Sequence, residues 1–331
     1  MNAHSYRAVV CEELSPPERL RLQNLEPQHL APGMVRVAIK AAGINFPDTL
    51  MIQGLYQHRP ELPFVPGLEA VGVVIECAPD VQGIALGDKV IAQMRTGGYA
   101  EEAAVAAGQI RPMPEGFSFA EGATFLAAHM TAYHALKTRG AVAPGQTLLV
   151  LGAAGGVGLA GVQVGKLMGA RVLAAASTQA KLDIAAQHGA SDLIDYSKEK
   201  IEDGVKRLTS GAGVDIVFDP VGIAPEAALR CLSWGGKLLI AGFAGGSIPS
   251  YAANRILLRG CQVIGVRAGE AGRKDPAMRK VELDELMVLG SRGLVRPFVS
   301  ECVPLERFAD AMRMLAERQA LGRVALVMGR G

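Results

Sequence analysis

Thr147-Leu-Leu-Val-Leu-Gly-Ala-Ala-Gly-Gly-Val-Gly-Leu-Ala-Gly-Val-Gln-Val-Gly-Lys-Leu-Met-Gly-Ala170 decides how the rest of the chain is read. The apolar run Leu148 to Leu151 has the composition of a buried parallel strand, and it stops at a glycine-rich turn, Gly152 to Gly158. A helical pattern follows through Leu159, Val162, Lys166 and Leu167. Strand, glycine turn and helix in this order are the setting of a dinucleotide fingerprint. The glycines let the backbone turn tightly and approach a pyrophosphate with no Cβ in the way. The helix N-terminus adds unpaired N–H groups and the positive end of its dipole. Against the pattern G-x-G-x-x-G the positions fall on Ala153, Gly155 and Gly158, so alanine stands in the first glycine place. An ordinary tight βα turn would carry similar residues, and the surrounding chain has to separate the two readings.

A length of 331 residues suggests two domains with ample chain for a core. Lys+Arg 34 against Asp+Glu 32 leaves a net charge of only +2, with no basic block, so a nucleic-acid or membrane-surface role has no electrostatic support. Residues 1–15 carry charge and no apolar segment, which argues against a secretory signal. The Ala/Gly-rich stretch 140–176 is interrupted by Gln, Lys and Arg, which argues against a membrane span. A cytoplasmic protein is the default expectation. Cys11, Cys77, Cys231, Cys261 and Cys302 show no C-x-x-C spacing, so neither a zinc cluster nor a disulfide framework is indicated.

Residues 6–112 carry short β-like runs at Tyr6–Val10, Met34–Ala42, Glu69–Cys77, Lys89–Ala92 and Tyr99–Val105. Turns such as Ala31-Pro32-Gly33 and Leu86-Gly87-Asp88 separate them, and the spacing suggests a small barrel. Three segments within this region are more specific: Ala42-Gly43-Ile44-Asn45-Phe46-Pro47-Asp48, Gly54-Leu55-Tyr56 and Pro66-Gly67-Leu68-Glu69-Ala70-Val71-Gly72. With the glycine turn they resemble the medium-chain dehydrogenase/reductase superfamily over essentially the whole chain, most closely its zinc-free quinone oxidoreductase branch. The resemblance implies a GroES-like β-barrel catalytic domain joined to a Rossmann domain, an α/β fold with a doubly wound parallel sheet of six strands. Zinc-dependent alcohol dehydrogenases of that superfamily place Cys where Asn45 stands and His where Leu68 stands. Neither an amide nor an isobutyl group replaces thiolate or imidazole on zinc, and the structural zinc's four-cysteine lobe is missing, so no metal is expected.

Zinc polarises an isolated carbonyl. Without it, hydride delivery favours acceptors that spread the charge themselves, such as quinones, enones and enoyl thioesters. Asn45 and Tyr56 are the candidate catalytic residues, supplying hydrogen bonds or a proton to such an acceptor. Each also fits a plainer role, Asn45 as a turn-stabilising amide and Tyr56 as packed wall. Asp48 reads as a helix-capping group rather than a catalytic one. His58 reads as a lone histidine and no ligand, and His129 and His134, on a helix expected over Ala120–Lys137, read as packing or surface groups. By resemblance the Thr131 hydroxyl reaches the nicotinamide end of the cofactor, Asn45 counts among the cofactor-binding candidates as well, and Arg323, in Gly322-Arg323-Val324, matches a basic position near the cofactor.

After the glycine turn, apolar runs recur at Arg171–Ser177, Asp192–Tyr196, Asp215–Val221, Lys237–Phe243 and Gln262–Val266, with helical segments at 178–189, 198–209, 224–233 and 250–258 between them. With Leu148–Leu151 they make six alternating strands, a full two-half nucleotide fold. NAD-binding versions carry an acid at the end of the second strand; here Ser177 stands there, and residues 171–182 contain no acid. Ser177-Thr178-Gln179-Ala180-Lys181 offers hydroxyls and an ammonium, which would bind a 2′-phosphate that an acid would repel. NADPH is the expected cofactor. The resemblance adds Tyr196 to Ser177 and Lys181 at that phosphate. Ala153, Gly155, Gly156, Val157 and Gly158 form the pyrophosphate turn, and Val221, Phe243 and Val266 follow strands four to six at the ligand-binding ends.

The last third is expected to run as helix over 275–291, extended chain over 295–303, helix over 305–318 and a closing strand at 325–327. The expected domains are 1–125 with 269–331 for the barrel and 126–268 for the nucleotide fold. The leading expectation is an NADPH-dependent quinone or enone reductase, and the resemblance implies a homodimer through the segment 259–268. An enoyl-thioester reductase shares the Gly-x-Tyr segment and a turn resembling Pro60-Glu61-Leu62-Pro63. A non-catalytic NADPH-binding structural or RNA-associated protein is the alternative from a different class.

Overall fold

The computed structural model describes residues 4–329. The chain folds as two units. One runs to Ala127 and resumes at Pro297; the other is Ala128–Arg296.

The first unit is built on β1 (Tyr6–Val10), β2 (Arg21–Leu25), β3 (Met34–Gly43), β4 (Glu69–Cys77), β5 (Lys89–Gln93), β6 (Glu102–Ala106) and β7 (Ile110–Pro112). The second contains β8 (Thr147–Leu151), β9 (Arg171–Ala176), β10 (Asp192–Asp195), β11 (Val214–Asp219), β12 (Leu232–Ile240) and β13 (Gln262–Gly265). The returning chain adds β14 (Val299–Pro304) and β15 (Arg323–Val327) to the first unit.

In the first unit a seven-stranded sheet runs β14-β15-β3-β4-β5-β7, and β6 pairs with β3; β1 and β2 form a separate ribbon. All pairs but β14 with β15 are antiparallel. Val35, Val37 and Ile39 of β3 alternate toward a core that also holds Ile44, Met51, Tyr99, Val324 and Leu326. The short strands β2 and β7 were not expected from the sequence: β2 has no fully buried residue and β7 is three residues long, so neither shows a clear apolar alternation.

The second unit is a parallel sheet in the order β10-β9-β8-β11-β12-β13. Counted from β8, this is 3-2-1-4-5-6, the doubly wound nucleotide-binding order. β8 and β9 are buried along nearly their whole length because helices cover the sheet. The helix Gly156–Leu167 lies close on it: a Cβ at Gly161 would stand 2.7 Å from the Phe218 ring, and one at Gly165 would stand 2.5 Å from Leu148. β12 starts at Leu232 rather than Lys237, because Val214 pairs with Leu232 before an irregularity resets the register to Ile216 with Lys237.

Two expectations need correction. The single helix read over 120–137 is broken into Phe119–Gly122, Leu126–Tyr133 and a π-helical turn His134–Arg139. The break is explained by Glu69, whose Oε1 accepts the N–H groups of Leu126 and Ala127 and so starts a new helix there. Second, residues 126–127, expected with the nucleotide fold, lie in the first unit, and residues 269–296, expected with the barrel, lie in the second. The helix Pro276–Ser291 is held there by His134 Nδ1 with Glu282 Oε1 at 3.0 Å and by Tyr133 OH donating to Glu285 at 2.9 Å. Gln163 closes the segment, donating to the Arg296 carbonyl and accepting from its N–H.

Candidate functional site

The candidate nucleotide site, within the second unit, begins where β8 ends. Gly152 has φ +58°, a left-handed conformation that a side chain resists, and a Cβ there would meet Val221 at 2.5 Å. The tight-turn role therefore falls on Gly152, one residue before the motif's first position. This explains how Ala153, fully buried, is tolerated in place of glycine. Gly158 is the crowded position: its Cβ would lie 2.2 Å from the Gly152 carbonyl oxygen. Gly155 is exposed and has room, with the same oxygen 3.4 Å from a notional Cβ. The helix starting at Gly156 has no side-chain cap, so among its first-turn donors the N–H groups of Gly156 and Val157 have no intrahelical acceptor.

Neighbouring strand ends bring the other expected nucleotide contacts alongside. Lys181 Nζ lies 3.4 Å from Ser177 Oγ just beyond β9. The Tyr196 N–H donates to the Ala176 carbonyl at 3.1 Å, which sets Tyr196 beside Ser177 across the β9–β10 boundary. Val221 follows β11 and Phe243 follows β12, the latter 37% exposed; Val266, after β13, is buried and donates its N–H to Ile240. Thr131 is half-buried on Leu126–Tyr133. Asp219 shapes the β11 end. It is fully buried, and its Oδ1 accepts the N–H groups of both Val221 and Gly222 at 2.8 Å. Burial pushes its pKa up against the pull of those two donors.

The first unit holds a second arrangement, made of side chains. Asn45 precedes the helix Phe46–Met51. Asp48 Oδ2 accepts the Asn45 N–H at 2.9 Å and the Tyr99 hydroxyl at 2.9 Å, which is the capping role its spacing implies. The Asn45 carboxamide is gripped at both ends: Oδ1 accepts from Arg323 Nη2 at 2.8 Å, and Nδ2 donates to the Gly43 carbonyl at 3.2 Å. Arg323 Nη2 also stands 3.8 Å from Glu69 Oε2. All of these side chains are buried. Burial lifts Glu69 to about 7, only partly offset by the Arg323 charge and two backbone N–H groups. Burial likewise lifts Asp48 to about 6 against the Tyr99 hydrogen bond. Tyr99 is raised and Arg323 lowered, each by burial first. Arg323 thus joins Asn45 rather than standing alone. Tyr56 lies half-buried against the same core. The sequence reading missed Glu69 and Tyr99 as members of this cluster.

At the positions where a zinc dehydrogenase holds metal, Asn45 and Leu68 supply no thiolate or imidazole. Among the described residues no group of three or more His, Cys, Asp or Glu stands together as a metal site. Nor is any helix among them long and apolar enough to cross a membrane.

The family model for the alcohol dehydrogenase GroES-like domain matches residues 31–133, and that for zinc-binding dehydrogenases matches residues 156–282. Quinone oxidoreductase-like protein 2 homolog of Nematostella vectensis is 36% identical over 326 residues, covering 97% of this chain and 89% of that protein. The crystal structure of a probable oxidoreductase from Mycobacterium abscessus matches with a TM-score of 0.89 at 38% identity, over 98% of this chain and 100% of that one. The quinone oxidoreductase of Thermus thermophilus, whose structures include a complex with NADPH, matches with a TM-score of 0.84 at 35% identity, over 97% and 99% of the two chains. The fold is that of a two-unit oxidoreductase, a GroES-like sheet with a six-stranded nucleotide fold. The chain belongs to the medium-chain dehydrogenase/reductase superfamily, in its quinone oxidoreductase branch.

Proposed function

We propose that this protein is an NADPH-dependent reductase that delivers hydride to a quinone or another conjugated carbonyl compound without a metal. The observation that carries the cofactor choice is the end of β9: no acid, and the Lys181 ammonium beside the Ser177 hydroxyl. The crowded Gly158 turn fits a pyrophosphate, since any side chain there would fill the space the backbone needs. When bound, NADPH supplies the hydride. The chain's own residues would do the rest: Ser177, Lys181 and Tyr196 would hold the 2′-phosphate, the N–H groups of Gly156 and Val157 would be the donors for the pyrophosphate, and Asn45 and Tyr56 would serve the acceptor. With an amide and a leucine at the zinc-ligand positions, charge on the reduced acceptor has to be met by delocalisation and hydrogen bonds.

A homodimer is part of the same proposal. β13 is an edge strand of the six-stranded sheet. Near it Trp234, Leu257 and Leu258 are 81%, 77% and 70% exposed, the kind of edge and apolar surface that a second copy covers.

The test is NADPH oxidation with 1,4-naphthoquinone and with a short trans-2-enoyl-CoA, side by side, on wild type and Tyr56→Phe. Rapid quinone reduction little changed in Tyr56→Phe is the expected result. Turnover confined to the enoyl-CoA and abolished in Tyr56→Phe would identify an enoyl-thioester reductase instead. NADPH binding with no turnover of either acceptor would point to a non-catalytic role.

A further inference from the structure

A buried network links a helix start to the amide of Asn45. Glu69 is anchored through Oε1 by the N–H groups of Leu126 and Ala127, which leaves Oε2 to face Arg323 at 3.8 Å. Arg323 lies on β15, whose pairing with β3 sets Ala325 opposite Gly43, so its guanidinium arrives beside Asn45. Gly43 makes room for it: a Cβ there would stand 3.3 Å from Arg323 Nη2 and 2.3 Å from the Ala123 carbonyl oxygen.

The chemistry allows one orientation of the amide. A guanidinium only donates, so the Asn45 atom facing it is Oδ1; a backbone carbonyl only accepts, so the atom facing Gly43 is Nδ2. A flipped amide would set N–H against N–H and carbonyl against carbonyl. With one N–H of Nδ2 given to Gly43, a single N–H is left uncommitted.

We propose that Arg323 is a positioning residue for the reduction: it turns the Asn45 carbonyl inward, so that the remaining N–H is what the amide offers the acceptor oxygen. The role rests on the reductase reading above. It departs from the expectation that Arg323 serves the cofactor.

A double-mutant cycle with Asn45→Ala and Arg323→Lys tests it, assayed with NADPH and 1,4-naphthoquinone. Lysine keeps a charge toward Glu69 but has no planar fork to aim at an amide. Arg323→Lys is expected to lower kcat by about tenfold, the order a misaimed donor costs, with KM for NADPH unchanged. In the Asn45→Ala background the same substitution is expected to cost less than about twofold. An equal loss in both backgrounds would overturn the proposal in favour of a merely structural arginine, and a raised KM for NADPH with kcat intact would overturn it in favour of a cofactor contact. Should Arg323→Lys fail to fold, Asn45→Asp decides: it still accepts from Arg323 but offers no N–H, so its kcat is expected to match that of Asn45→Ala, and full activity would refute the assignment. A readout independent of turnover is the Asn45 side-chain amide resonance in ¹⁵N-labelled wild type. It is expected to move in Arg323→Lys, where the carbonyl of the same amide loses its guanidinium partner, and an unmoved resonance would overturn the proposal. If the wild type oxidises no NADPH with any acceptor, the reductase reading fails while that resonance still reports whether Arg323 holds the amide.

Discussion

The glycine turn after β8 and the buried cluster around Asn45 solve the same problem, holding polar groups in fixed places, by opposite means. The turn uses backbone. Gly152 takes a conformation denied to other residues, and Gly158 lies so close to Gly152 that no side chain fits between them. The cluster uses side chains, Asp48, Glu69, Tyr99 and Arg323, each buried and each holding another. A backbone device is stiff and insensitive to pH. A buried ionic device is directional, but it carries desolvation costs that make it respond to protons.

The largest effect that separates the two belongs to the turn. Gly158→Ala forces a Cβ to 2.2 Å from a carbonyl oxygen, and the turn has to open. A loss of NADPH affinity of about 100-fold is expected by fluorescence titration, together with a lowered melting temperature. Gly155→Ala, with 3.4 Å available, should leave stability within about 0.5 kcal/mol. Equal damage at both positions would break the backbone account. Next comes the β9 end, where Lys181→Ala combined with Ser177→Asp is expected to weaken NADPH by about 30-fold and to improve NADH, as a lost charge-assisted contact and an added acid require.

The cluster's own signature is a smaller effect in pH. Glu69 is lifted to about 7 from 4.5 and Asp48 to about 6 from 3.8. The folded state therefore binds protons that the unfolded chain has released. Stability from these groups is full below the unfolded values and is lost as pH rises to about 7. Between pH 4.5 and 8, Glu69→Gln is expected to remove between about 1 and 2 kcal/mol of that decline, read from chemical denaturation. An unchanged slope would show that Glu69 is not the proton-binding group. Smallest of all, Tyr56→Phe is expected to change naphthoquinone reduction by less than about threefold, because a quinone delocalises the incoming charge and does not depend on a proton from the tyrosine.

The same contrast explains what could be read before the structure. A backbone device is written locally: the glycines lie within seven residues, Gly152 to Gly158, and Ser177 and Lys181 are one helical turn apart. The alternation of six strands with helices was legible in the same local way. The Asp48 cap was also readable, since its partner Asn45 is three residues away. Arg323 and Asn45 are 278 positions apart, Tyr99 and Asp48 are 51, and Glu69 meets Leu126 across 57. Such partners share no periodicity, and only the pairing of β15 with β3 brings the first two together. The broken helix at 119–139 has the same origin, because the group that restarts it belongs to another strand.

The most direct measurement is the pair of dissociation constants for NADPH and NADH on the unmodified protein, taken from nicotinamide fluorescence at one salt concentration. The account predicts that NADPH binds at least about 30-fold more tightly, as an extra phosphate held by Lys181 and Ser177 requires. Equal affinities, or tighter binding of NADH, would contradict it.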